Sequence, residues 1–170
     1  MSDIHTTSTL HLICGLPGSG KTTLSKKIEA ETGAIRMSPD EWIKEIWKDN
    51  AETEGNTYRD QIEQLQWRMG KQILKSGTDV IIEWGTWGKD ERNKLRDDAR
   101  EIGSDVKLYY LHVEKEVLKT RILERNKNLE KYEFLMPEDT LDEELDKAIA
   151  TFQVPTGGEE GVIQRLGGAE

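Results

Sequence analysis

The stretch Gly15-Leu16-Pro17-Gly18-Ser19-Gly20-Lys21-Thr22 constrains the fold of this chain more than any other, because it satisfies G-x-x-x-x-G-K-[ST]. The apolar run LHLIC, Leu10 to Cys14, precedes it, and helical spacing begins at Lys21 and closes at Gly33. Strand, loop and helix are therefore predicted in succession, the context in which the pattern binds phosphate. Glycines let backbone N–H groups turn inward around phosphate oxygens, and the helix that follows points its positive end at them. Gly15 through Thr22, with Thr23 one step further, are the candidate nucleotide-binding residues. Lys21 is the expected partner of the β- and γ-phosphates, and the Thr22 hydroxyl that of Mg²⁺.

The rest of the chain alternates in the same way. A short strand Ala34–Met37 is followed by Ser38-Pro39-Asp40-Glu41, which has the form of a capping box opening a helix to about Trp47. A polar loop surrounds Gly55. Tyr58, Ile62, Leu65, Met69 and Ile73 then fall on one predicted helix face. Val80–Ile82 reads as a strand covered on both sides, Leu95, Ala99 and Ile102 as a helix, and Val106–Val113 as a fourth strand. Glu114 to about Asn126 is helical in composition. A second capping box, Thr140 with Glu143, opens a last helix with Leu141, Leu145, Ile149 and Phe152 on one face. This alternation predicts an α/β fold with a mostly parallel sheet.

At 170 residues one domain is expected, over residues 10–155, between an N-terminal tail 1–9 and a flexible, acidic, glycine-rich tail 156–170. The 33 acids against 24 basic residues, net −9, disfavour a nucleic-acid partner, whose backbone such a surface repels. A single cysteine, Cys14, allows no internal disulfide and reads as a small core residue. No apolar run approaches the roughly 20 residues that cross a bilayer, and Met1–Thr9 lacks the core of a secretory signal, so a cytoplasmic protein is expected. Oligomeric state leaves no mark on the sequence.

Four stretches, GLPGSGKTTL, RMSPDEW from Arg36, VIIEWGTWGKDERNKLR from Val80 and LHVEKEVLKTRILERN from Leu111, with FQVPTGGEE from Phe152 as a weaker fifth, give the chain its likeness. It resembles the small P-loop, AAA-type ATP-dependent kinases grouped with polynucleotide 5′-hydroxyl kinases and antibiotic phosphotransferases. The resemblance implies a three-layer α/β/α P-loop fold with a small helical lid, and ATP and Mg²⁺ as cofactors. It gives Asp40 the role of base and Arg121 and Arg125, four apart on one helix face, that of lid arginines closing on the triphosphate. Against these stand a first-turn acid stabilising its helix and surface pairing with nearby glutamates.

Glu83 ends the third strand where related kinases usually carry an aspartate for the metal shell. One methylene longer, it is expected either to rearrange that shell or to point toward the substrate hydroxyl, and a solvated strand end is the bland alternative. Trp42, Trp84 and Trp87 are candidates for the acceptor pocket, and Arg92 for substrate contact or support of its helix. Trp47, Trp67, His11 and His112 read as packing residues. By resemblance to nucleotide kinases, Val154–Gly158 is a candidate for the adenine site.

A kinase acting on a hydroxyl of a small molecule is the leading expectation. The alternatives are a 5′-hydroxyl polynucleotide kinase, which the acidic balance opposes, and an ATP-binding regulatory or partner-binding protein without an acceptor. A GTPase switch is disfavoured because the sole N-K-x-D candidate, Asn126 to Leu129, ends in leucine.

Overall fold

The computed structural model of the protein describes residues 7–159 and 161–166. Five strands form one all-parallel sheet in the order β2-β3-β1-β4-β5: β1 (Thr9–Gly15), β2 (Ile35–Met37), β3 (Val80–Gly85), β4 (Asp105–His112) and β5 (Val162–Leu166). Leu10 stands opposite Val80 and Val106, and Leu12 opposite Ile82 and Leu108.

Side chains of a strand alternate between faces, and here that rule divides the core. Leu10, Leu12, Cys14, Val80, Ile82 and Leu108 pack against Trp67 and Leu74 of α3 (Arg59–Lys75) and Leu95 and Ala99 of α4 (Lys89–Glu101). Ile13, Ile81 and Tyr109 face the other way, onto Leu24 and Ile28 of α1 (Lys21–Thr32). Each fully buried Leu or Ile here stabilises the fold by about 1.5–3 kcal/mol. Cys14 is a core residue whose thiol burial pushes up to about 12, so it stays protonated.

Past the sheet, α5 (Lys115–Lys127) and α6 (Glu138–Thr151) pair through Leu118, Ile122, Leu141 and Leu145 and lean on Leu16. The connection between them crosses to α2 (Pro39–Trp47) as a lid. There Tyr132 Oη donates to Glu45 Oε1 at 2.6 Å, Lys131 pairs with the same carboxylate, and Phe134 packs on the cluster of Ile43, Ala51 and Ile62.

Several local expectations differ from the structure. Ser38 caps α2 by position without a side-chain cap bond, and the Glu41 carboxylate accepts from Arg36 at 2.5 Å. Thr140 lies inside α6, which starts after Pro137. The loop around Gly55 contains a 3₁₀ turn, Lys48–Asn50, and a π turn, Ala51–Gly55. The buried stripe of α3 is Ile62, Gln66, Trp67, Gly70 and Leu74, whereas Tyr58, Leu65 and Met69 are exposed. Polar Gln66 is admitted to the core because its amide oxygen accepts from Trp84 Nε1 at 3.0 Å. In α6, Ala148 takes the buried place expected of Ile149.

The termini also differ. Ser8 is buried, bonding Leu74 O and Ser104 Oγ at 2.8 Å each, and Thr9 opens β1; residues 1–6 lie outside the described residues. Residues 156–159 and 161–166 are no loose tail: Glu159 is buried in an ion pair with Arg92, and β5 adds to β4 through the β-branched pair Val162-Ile163. Residues 160 and 167–170 lie outside the described part.

Candidate active site

The strands bring the loop after β1, Asp40 just past β2 and Glu83 near the end of β3 to the carboxyl edge of the sheet, where open α/β sheets place their ligands. Gly18 (φ 78°) and Gly20 (φ 98°) hold left-handed backbone, and Gly20 caps α1. A side chain at Gly15 would come within 2.7 Å of Ser19 Oγ and 3.0 Å of Leu111 O, so the loop is closed tightly against β4. Lys21 Nζ donates to Leu16 O at 3.0 Å. Burial pulls its ammonium down to about 8, against the opposing pull of Asp40 and then Glu83. A half-buried lysine at the head of α1 is placed for a polyanion. Among the described residues Ser19 Oγ and Arg125 Nε are buried without a hydrogen-bond partner, and the Arg125 charge is felt at Lys21. Unpaired donors around a helix N-terminus are the chemistry a triphosphate fits.

Asp40 is about half exposed, and its Oδ1 accepts from Arg59 Nη2 at 2.5 Å. Glu83 is buried and fully engaged. Oε1 accepts from Arg36 Nη1 at 2.8 Å, and Oε2 accepts from Ser25 Oγ. Ser25 also lies within bonding reach of Thr22 O, 3.0 Å away. Arg36 completes the network by reaching Glu41 and Glu29. The extra methylene of glutamate therefore carries the carboxylate to an arginine and a serine, so the solvated strand end is not what the structure shows. Mg²⁺ takes hard oxygen donors and keeps several waters, and the exposed Thr22 hydroxyl on the first turn of α1 fits it. Glu83 stands behind that turn through Ser25. Among the described residues no group of three or more His, Cys, Asp or Glu forms a metal cage by itself.

Arg121 and Arg125, expected as lid arginines, sit on α5, whose Ile122 and Leu118 lie against Gly18. Arg125 Nη2 donates to Phe134 O at 3.1 Å, tying the helix to the lid connection, and Arg121 is half-buried on the same helix. Trp42 packs beside Ile43, while Trp84 and Trp87 lie partly buried over the α3–α4 face of the core. Trp47 stacks on Tyr58 and Trp67 bonds Asp98, as packing residues do. His11 is buried between Tyr109 and Asp79, and burial lowers its pKa.

Arg92 is not available to a substrate. It is fully buried, and its five N–H donors go to Glu159 twice (2.8 and 2.9 Å), Thr86 O (3.0 Å), Trp87 O (3.1 Å) and Gln153 O (2.8 Å). Of its two expected roles, support is the one the structure shows. Sequence reasoning assigned no role to Arg36, Arg59, Glu63, Gln66 or Thr86, although Arg59, Glu63 and Gln66 recur at helical spacing. Val154 borders a cavity of about 200 Å³ with Leu16, Tyr110, His112, Ile149 and Phe152.

This architecture defines a P-loop nucleotide-binding protein of kinase-like fold. The model of the AAA domain family matches residues 10–155, and the chain belongs to that family. No curated protein matches it. Among solved structures it is similar in fold to a gluconokinase from Sinorhizobium meliloti 1021 (19% identity, 98% of this chain and 85% of that one, TM-score 0.64). A sugar kinase from Janibacter sp. HTCC2649 (20%, 95% and 86%, 0.61) and a chain of the Pnkp1/Rnl/Hen1 RNA repair complex (20%, 88% and 47%, 0.66) share the fold as well. No helix among the described residues is long and apolar enough to cross a membrane.

Proposed function

We propose that the protein is an ATP- and Mg²⁺-dependent kinase that moves the γ-phosphoryl group of ATP to a hydroxyl of a small molecule. The observation that carries this reading is the placement of Lys21, at the end of the loop after β1, and of Asp40, just past β2, at one carboxyl edge of the sheet, near enough that the carboxylate's charge acts on the lysine. A phosphate-holding cation and a proton acceptor thus face one crevice. The acceptor oxygen bonds to the γ-phosphorus as the bond to the β-bridging oxygen breaks. The hydroxyl proton passes to Asp40 Oδ2, since Arg59 holds Oδ1, and ADP leaves. Lys21 and the loop N–H groups follow the charge that builds on the phosphoryl oxygens, and Arg121 and Arg125 approach it from the lid. Bound beside Thr22, Mg²⁺ would neutralise β- and γ-oxygens, with Glu83 holding the Thr22 turn rather than the ion. Val154 and its cavity are the place for the base, and Trp42, Trp84 and Trp87 border the acceptor.

The test is ADP release above the acceptor-free background, alongside direct ATP binding. Asp40→Asn is expected to bind ATP normally and to lose transfer by about 10²–10⁴-fold. Full transfer in that variant removes Asp40 as the base, and ATP binding with no transfer to any acceptor favours a regulatory protein.

A further inference from the structure

The acceptor side of the crevice holds groups that phosphoryl transfer does not use, and they lie along one stripe of α3. Arg59, Glu63 and Gln66 recur at intervals of four and three, which places them on one helix face. Arg59 reaches Asp40, its Nη1 stands 3.9 Å from Glu63 Oε1, and Gln66 accepts the Trp84 indole N–H. Two buried polar atoms have no partner among the described residues: Gln66 Nε2, on the stripe, and Thr86 Oγ1, in the turn after β3. Thr86, two residues past Trp84, is also held at φ 40°. An unpaired buried donor costs about 1–3 kcal/mol, and a strained non-glycine residue costs a similar amount. Both kinds of cost gather where a ligand supplies what is missing.

Charge narrows what that ligand can be. Burial, against the pull of Arg59 and with the help of Glu91, Asp60 and Asp40, holds the Glu63 carboxyl up at about 7. Around Glu63, then, one arginine stands with three further carboxylates, contributed by α2, α3 and α4. The next arginine, Arg36, is already shared among Glu29, Glu41 and Glu83. A carboxylate or phosphate on the acceptor would meet like charge here, while Arg59 and Arg36 are already engaged with acids. Hydroxyl and ammonium groups meet acceptors in Glu63 and Asp40 and a donor in Gln66.

We propose that the α3 stripe, with Trp84 and Thr86, is the acceptor-recognition surface and selects a neutral or positively charged polyhydroxyl compound, a sugar or amino sugar, over one bearing a carboxylate or phosphate. Glu63 accepts from a hydroxyl or ammonium, Gln66 Nε2 donates to a hydroxyl oxygen, and the Trp84 ring covers an apolar sugar face. This rests on the kinase reading, and the test separates the two. ADP release by the full chain is measured with D-glucosamine, D-glucose, D-gluconate and a 5′-hydroxyl oligonucleotide as probes, in the wild type, Asp40→Asn and Glu63→Gln. The expected result is Asp40-dependent turnover with kcat/KM for glucosamine or glucose at least tenfold above gluconate and the oligonucleotide. Glu63→Gln is expected to narrow the glucosamine-to-gluconate ratio about tenfold, through the acceptor KM. The ranking is read on the wild type and so stands whatever the variant's stability. Asp40-dependent preference for gluconate or the oligonucleotide overturns this proposal and leaves the kinase reading in place. Turnover of none of the four, with ATP bound, overturns both.

Discussion

On the nucleotide side of the crevice, one continuous loop between β1 and α1 supplies most of the groups, and backbone geometry at Gly18 and Gly20 sets their directions. On the acceptor side, Asp40, Arg59, Glu63, Gln66, Trp84 and Thr86 come from α2, α3, β3 and the turn after it, and side-chain ion pairs and hydrogen bonds position them. The first arrangement tolerates side-chain change around a few fixed residues. The second moves whenever one member of the network is altered. A fold organised this way can keep its phosphate chemistry while its acceptor changes, because the two halves are held by different forces.

The largest expected effect breaks the nucleotide side chemically and leaves its shape alone. Lys21→Ala removes one hydrogen bond, to Leu16 O, yet phosphoryl transfer is expected to fall about 10³-fold, the loss typical of a removed transition-state charge partner. Steady-state ADP release and a urea unfolding curve measure the two consequences side by side. Unfolding within about 1 kcal/mol of wild type, with activity lost, supports a loop whose architecture is backbone-made.

The acceptor side should respond in the opposite way to Arg92→Met. Arg92 joins the turn at Thr86 and Trp87 to Gln153 and Glu159. Its loss leaves the buried Glu159 with only Arg96 Nη1 at 3.8 Å and the Thr156 N–H at 3.3 Å, at an expected cost of about 3 kcal/mol in urea unfolding. Arg92→Lys is not expected to restore it, because one ammonium cannot replace five donors in a fixed fork. A variant as stable as wild type would show that this network does not hold the acceptor side.

Glu63 sharpens the contrast through pH. Its folded carboxyl is raised to about 7 by burial and neighbouring acids, while an unfolded one ionises near 4.3. The folded state therefore holds the proton more tightly, and wild-type stability falls as pH rises from the unfolded value through about 7. Glu63→Gln escapes that fall. Relative to wild type it is expected to be about 2 kcal/mol more stable at pH 8 than at pH 5, by urea unfolding at both. No difference between the two pH values would mean that the acids around Glu63 do not act on it in the folded protein.

Much of this molecule was legible in the sequence because its signals are local. The loop, the strands flanking it and the parallel order follow from residues within a few positions of one another. The buried stripe of α3 was not, because Gln66 enters the core only by meeting Trp84, and hydrophobic spacing favours Leu65 and Met69 instead. Glu159 and β5 hid in what reads as an acidic, glycine-rich end, where Arg92 and the free edge of β4 determine the outcome. Glu83 was legible as an oddity and not as a partner of Arg36, since that contact joins β2 and β3. These three misses turn on long-range contacts, which no periodicity encodes.

The smallest expected effect returns to the loop, where pH acts on the ligand rather than the fold. Lys21, brought down to about 8 by burial, is mostly charged at pH 7 and mostly neutral at pH 9. A bound triphosphate favours the charged form, so ATP binding takes up a proton increasingly as pH rises through 8. Affinity measured by calorimetry is expected to fall roughly tenfold between pH 7 and pH 9, one unit of lysine titration being worth about 1.4 kcal/mol. Lys21→Arg, charged throughout, should flatten that dependence even if its longer fork binds ATP less well. A dependence that persists unchanged in Lys21→Arg would assign the titration to another group, and the lysine would then be charged across the whole range by Asp40 and Glu83.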